Sequence, residues 1–163
     1  MAEDKPKSQR VRVDGKFFRL GESKFHLKGV TYGPFKPNAD GDPVPSRKQA
    51  GRDFDQIIEL GANTLRVYHV PPKWLLDAAE AKGLKLLIDV PWWKTGCFLD
   101  SRDMRRQARE AVRNAAEKCK GHPAVLAFSV VNEIAPDVVR WHGAKLVSEF
   151  IDSLAAIARA VDP

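Results

Sequence analysis

Residues 122–134 read His-Pro-Ala-Val-Leu-Ala-Phe-Ser-Val-Val-Asn-Glu-Ile. After the opening His-Pro comes a nearly unbroken apolar run. Runs of this kind read as strands covered on both faces, the habit of parallel sheets whose crossover helices lie against them. The run closes on Asn132 and Glu133. A carboxylate at the tip of a strand built from Val, Leu and Phe is costly to desolvate, and its acidity falls unless hydrogen bonds or cations hold it ionised. If Glu133 points inward from a regular strand, Ser129 and Val131 share its face and Asn132 looks the other way, so only a terminal bulge brings both to one site.

Working outward, the same alternation of short apolar run and amphipathic helix recurs. Strands are expected over 27–32, 63–69, 84–90 and 125–134. A helix that Ser46 can cap turns Phe54, Ile57 and Ile58 inward. The next opens at Pro71-Pro72 and ends before Gly83. A third, over 101–120, buries Met104, Ala108, Ala111, Val112, Ala115 and Cys119. The last carries Val147, Phe150, Ile151, Leu154, Ile157 and Val161 on one stripe. Ahead of them, residues 11–28 form two alternating segments punctuated by Asp14-Gly15 and Gly21-Glu22-Ser23, a small β-hairpin.

The fold class is therefore α/β with a covered parallel sheet, four βα units long, which periodicity alone leaves open between a doubly wound sheet and a (β/α)8 barrel. No GxGxxG or GxxxxGK[ST] follows the first strand, where the sequence is Gly-Val-Thr-Tyr-Gly-Pro, so the barrel gains. Residues 1–10 read as a disordered or linker-like tail and 11–163 as the domain.

The chain has 163 residues, is 44% hydrophobic and carries a net charge of +6, enough for one core. No apolar run is long enough to span a bilayer, and the polar start lacks a signal peptide, which makes the cytoplasm the default location. The densest basic group runs from Arg102 to Arg113 at helical spacing. Asp103 and Glu110 interrupt it and no aromatics are interleaved, so a solvated helix face is expected rather than a nucleic-acid patch. Cys97 and Cys119 lack metal or redox spacing, and His26, His122 and His142 share no spacing and no neighbouring acidic pair, so neither metal nor cofactor is expected.

Polar residues gather where the strands end: Tyr32, Arg66 to His69, Asp89 to Trp93, and Asn132-Glu133. Active sites of barrels sit at that face. Each residue has a plainer reading as well. Glu133 can cap the next helix or pair with a lysine, and His69 can bond backbone. Of Trp92 and Trp93, at most one can line the site, the other being core. Asp89 is expected to pair with an arginine, and Trp74 and Trp141 to pack. A different barrel chemistry built on Asp89 and His69 would require those two side chains within hydrogen-bond reach.

HPAVLAFSVVNEI resembles the fourth-strand motif of the clan A glycoside hydrolases, families 2 and 5 in particular. GANTLRVYHVP is similar to their second-strand motif, and VDGKFFRLGESKFHLKGV to the hairpin leading into their first strand. The resemblance, over residues 11–163, implies a barrel that hydrolyses O-glycosidic bonds with retention. Glu133 would be the acid/base, Asn132 would hydrogen-bond the sugar 2-hydroxyl, and Arg66 would orient the second carboxylate. His69, Trp92 and Trp93 would contact an oligo- or polysaccharide.

Retention needs two carboxyl groups about 5–5.5 Å apart, and in this clan the nucleophile is a glutamate ending the seventh strand. Beyond Glu133 the only glutamate is Glu149, in the last helix. The nucleophile is thus expected outside this chain, which reads as the first half of a barrel and is expected to be inactive alone. Unpaired sheet edges and an exposed apolar face are expected to need a second half-barrel or another copy of the chain. The alternative is a catalytically silent carbohydrate-binding or self-associating module.

Overall fold

A computed structural model describes residues 9–39 and 41–163. The first eight residues of the expected tail lie outside the described ones. Its last two are tied into the fold. Arg10 grips Asp162 through two hydrogen bonds of 2.6 and 2.8 Å, and the Gln9 carbonyl accepts from buried Lys85 at 3.0 Å.

Three antiparallel strands follow, β1 (Val11–Asp14), β2 (Phe17–Leu20) and β3 (Ser23–Phe25). The expected hairpin is a three-stranded meander: both punctuated turns close, with Gly15 at φ 60° and Gly21 at φ 59°, and the segment after the second pairs with β2 as a third strand. The parallel sheet is β4 (Gly29–Thr31), β5 (Thr64–Val67), β6 (Lys85–Asp89) and β7 (Val125–Ser129), in that spatial order. The crossovers carry α1 (Arg47–Glu59), α2 (Lys73–Ala81) and α3 (Arg102–Cys119). Beyond β7 come a short α4 (Pro136–His142) and then α5 (Ala144–Val161).

Strand order decides between the two architectures that periodicity left open. Parallel crossovers are right-handed almost without exception. When strands also follow one another in sequence order, every crossover helix falls on one side. A doubly wound sheet must instead reverse direction. The sheet is singly wound, a segment of a barrel wall with helices outside. Register then assigns the faces. Leu65, Val67, Leu86 and Ile88 point to the helices and are fully buried against Phe54, Leu75, Leu76 and Ala79. The opposite, inner face carries Thr31, Arg66, Leu87, Asp89, Ala127 and Ser129. That narrows the expectation of an exposed apolar inner face, because its top layer, with Arg66, Asp89 and Ser129, is polar.

Two other expectations change. Ile58 is exposed, since α1 buries the Ala50–Phe54 side of its stripe and Ile58 falls on the flank. Residues 130–134 are not strand. β6 ends at Asp89, opposite Ser129, so the ladder has no partner to continue on. The Ser46 hydroxyl accepts from the Gln49 amide at 3.2 Å, as a helix N-cap does. Ser46→Ala should lower stability by about 1 kcal/mol while Ser46→Asp should not, a difference measurable in urea midpoints.

The Arg10–Asp162 clasp ties the N-terminal segment to the end of α5. Burial pushes the Asp162 carboxyl up, but the Arg10 guanidinium and the Gly121 amide outweigh it and hold it below the usual carboxylate range. A depressed folded-state value stabilises the fold above the unfolded value, near 3.9, and that contribution disappears as pH falls through the folded one. The gap in melting temperature between the native chain and Asp162→Asn should therefore be widest near pH 7 and close on acidification. A gap that does not change with pH would contradict the assignment.

Candidate active site

The C-terminal ends of β5, β6 and β7 bring three polar side chains into one cluster. Arg66, on β5, donates through Nε at 3.0 Å and Nη2 at 2.8 Å to a single oxygen of Asp89 on β6. The same Nη2 donates to Asn132 Oδ1 at 2.6 Å. Asp89 is buried while Arg66 is about one third exposed, so the carboxylate is held inside and the guanidinium reaches the surface. The Asp89 bond raises the already high Arg66 pKa further, so the guanidinium is permanently charged. Arg66 also lies over the Tyr68 ring, 4.9 Å from its centroid. The expected arginine partner of Asp89 is thus Arg66.

Glu133 follows Asn132 with φ 51°, a left-handed conformation and the only positive φ at a non-glycine position among the described residues. For an L side chain that conformation is disfavoured by roughly 1–2 kcal/mol, and such strain gathers at working sites. The turn does what a terminal bulge was expected to do. Both Asn132 and Glu133 line one cleft of about 510 Å³, with Lys94, Thr95, Ile134, Ala135 and Pro136. The size is that of a small-ligand site. Glu133 is exposed within it, so the desolvation expected of a carboxylate capping an apolar strand is absent: the strand stops four residues earlier.

The remaining candidates divide. Trp92 is corrected from a sugar platform to a core residue. It packs edge-on against Phe98 and Phe150 and donates its indole N–H to the Val130 carbonyl at 2.7 Å. Trp93 points the other way and is exposed, though it does not line the Glu133 cleft. His69 is buried with neither ring nitrogen partnered among the described residues, and burial lowers its pKa, keeping it neutral. It is not part of the cleft lining, and its lack of a hydrogen bond to Asp89 removes the alternative chemistry built on those two. Tyr32 is also turned away, its hydroxyl 2.8 Å from Asp53 Oδ2 on α1. Trp141, expected to pack, is exposed and donates to Asp100 at 3.0 Å. His122, expected to lack acidic neighbours, has Asp77 at 3.0 Å and Glu80 at 3.7 Å.

Lys94 and Thr95 were missed. They follow the Trp pair by one and two positions in a loop that no periodicity organises, and a cation beside a strand-end glutamate has no sequence signature.

Comparison with known proteins bears on the fold and the family. The 1,3-beta-glucanosyltransferase gel1 of Aspergillus fumigatus is 32% identical over 133 residues, covering 78% of this chain and 29% of that protein. A putative beta-glucuronidase of Formosa agariphila is 25% identical over 122 residues, covering 72% of this chain and 14% of that protein. The chain thus spans less than a third of the length of these relatives. Among solved structures, Bifidobacterium dentium beta-glucuronidase superposes with a TM-score of 0.77 at 21% identity, covering 95% of this chain and 25% of that one. That likeness supports the fold, a partial wall of a glycosidase barrel. Residues 2–158 match glycoside hydrolase family 72, described as glucanosyltransferase. The clan A resemblance holds, with family 72 in place of families 2 and 5, and the chain belongs to this glucanosyltransferase family of glycoside hydrolases.

Proposed function

We propose that this chain supplies the acid/base half of a retaining glycosyl-transfer site acting on a β-linked glucan, with 1,3-linked glucan the first substrate to test after the activity named for the Aspergillus relative. The observation that carries this reading is the Arg66–Asn132 hydrogen bond beside Glu133. It fixes the Asn132 amide, because Oδ1 must face the guanidinium, and so frees the Nδ2 protons to donate to a sugar hydroxyl. Arg66 spends Nε and Nη2 on Asp89 and Asn132 and keeps Nη1 for a carboxylate arriving from outside this chain.

In the first step Glu133 protonates the glycosidic oxygen as the partner carboxylate attacks the anomeric carbon. The C–O bond breaks, and a glycosyl-enzyme ester forms. The Glu133 carboxylate then takes a proton from the incoming acceptor, whose oxygen displaces the ester. Water gives hydrolysis, and a sugar hydroxyl gives transfer.

The test is turnover of 1,3-linked glucan oligosaccharides by the 163-residue chain alone and by the chain joined to a complementary half-barrel, each with Glu133 intact and as Gln. The reading requires activity only in the joined protein with Glu133 intact. Glucan binding without turnover in every arm, unchanged by Glu133→Gln, would favour a silent carbohydrate-binding module instead.

A further inference from the structure

Beside the cleft, the loop from β6 to α3 and the end of α4 bring together Cys97, Asp100 and His142, each offering one ligand atom within 4.8 Å of the others. His142 carries the argument. Its side chain is 95% buried, Nδ1 lies 3.7 Å from Asp100 Oδ1, neither nitrogen makes a hydrogen bond among the described residues, and Nε2 is fully enclosed. Nδ1 is the nitrogen turned toward Asp100 and, at 3.7 Å, is too far for a hydrogen bond, so its lone pair is the one open to a ligand shared with Asp100 and Cys97. Asp100 is already aimed: the Trp141 indole N–H holds its Oδ2 at 3.0 Å and leaves Oδ1 toward His142. A carboxylate oriented in this way by an outer hydrogen bond is a recurring feature of metal sites. Phe98, with its ring centroid 5.9 Å from the His142 ring, keeps the imidazole in place.

We propose that Cys97, Asp100 and His142 form a zinc-class metal site, with water as the fourth ligand. Sulfur, nitrogen and carboxylate oxygen together are a borderline-soft set, suited to zinc rather than to magnesium or calcium. Bonds of about 2.0–2.3 Å place tetrahedral ligands roughly 3.5 Å apart, so the loop has to close by about 1 Å. Cys97 is exposed and follows Gly96, whose φ of 91° and open surroundings let the backbone move. The Cys97 thiol loses its proton to solvent as the metal–sulfur bond forms. The ion would pin α4 to the loop bearing Lys94 and Thr95. That would fix both walls of the Glu133 cleft, and it does so whether or not the cleft processes glucan.

The experiment is titration of the purified chain with cobalt(II) as a spectroscopic stand-in for zinc, followed by displacement with zinc. The expected result is one equivalent bound, with a thiolate-to-cobalt charge-transfer band that zinc abolishes. Cys97→Ser should remove the band. Asp100→Asn, also at an exposed position, should weaken binding by about 10-fold or more. Neither change opens a cavity, so both variants should keep the native circular dichroism spectrum. Cys119→Ala and His122→Ala should leave the band unchanged. No band in the native chain, a band surviving Cys97→Ser, or loss of binding in His122→Ala would each overturn the site.

Discussion

Glu133→Gln, in the chain completed to a full barrel, is expected to lower turnover of an unactivated 1,3-linked glucan by about 10²–10⁴-fold, the usual contribution of a positioned general acid/base. The amide keeps the shape and the left-handed backbone but cannot exchange a proton. Because Glu133 is exposed and makes no ion pair or hydrogen bond within the described residues, folding stability should change by no more than ~0.5 kcal/mol. The substrate series separates catalysis from damage. A sugar bearing an activated phenolate leaving group needs no protonation to depart, so its glycosylation step should lose far less than that of the glucan. Equal losses on both substrates, or a loss below ~10-fold on the glucan, would mean that Glu133 is not the acid.

How far this site could be read in advance depended on which interactions were local. β5 and β6 were legible to within three residues at each end, because each is a short apolar run between a helix stop and a proline. The end of β7 was not. Val130 and Val131 continue the apolar run without a break, and what stops the ladder is the end of its neighbour at Asp89, a fact about pairing. α4 was missed although its punctuation was present, Pro136 at the first turn and Gly143 at φ 82° just past the end, because seven residues are too few to show a helical period.

The site residues divide in the same way. Asn132 and Glu133 announced themselves by chemistry at the end of an apolar run. That Arg66 would reach both Asp89 and Asn132, 23 and 66 positions away, followed only once three strand ends were side by side. The fate of the tryptophan pair was half legible: adjacency predicted opposite directions, but which ring went inward was set by Phe98 and Phe150, which arrive from a loop and from α5.

Arg66→Met should be the most damaging polar substitution, since it removes the only ion-pair partner of Asp89 among the described residues. Asp89 is buried and its Oδ1 already lacks a hydrogen bond, so losing Arg66 would leave both oxygens unsatisfied. Breaking a fully buried pair destabilises by about 3–5 kcal/mol, and because Arg66 is one third exposed the expectation here is roughly 2–3 kcal/mol. The effect belongs to the stranded charge more than to the lost attraction. Arg66→Met combined with Asp89→Asn should therefore recover at least ~1 kcal/mol relative to Arg66→Met alone, by urea denaturation. Arg66→Lys should rescue only in part, because an ammonium cannot span Asp89 and Asn132 with the planar geometry of a guanidinium. If Arg66→Met costs under ~1 kcal/mol, or the two substitutions simply add, the Asp89 carboxylate is solvated and the cluster does not hold the strand ends together. A large loss with the predicted recovery would instead show that Asn132 is oriented by an element whose integrity the barrel wall itself requires. Substitutions of Arg66 would then change glucan turnover and folding together, whereas Glu133→Gln would change turnover alone.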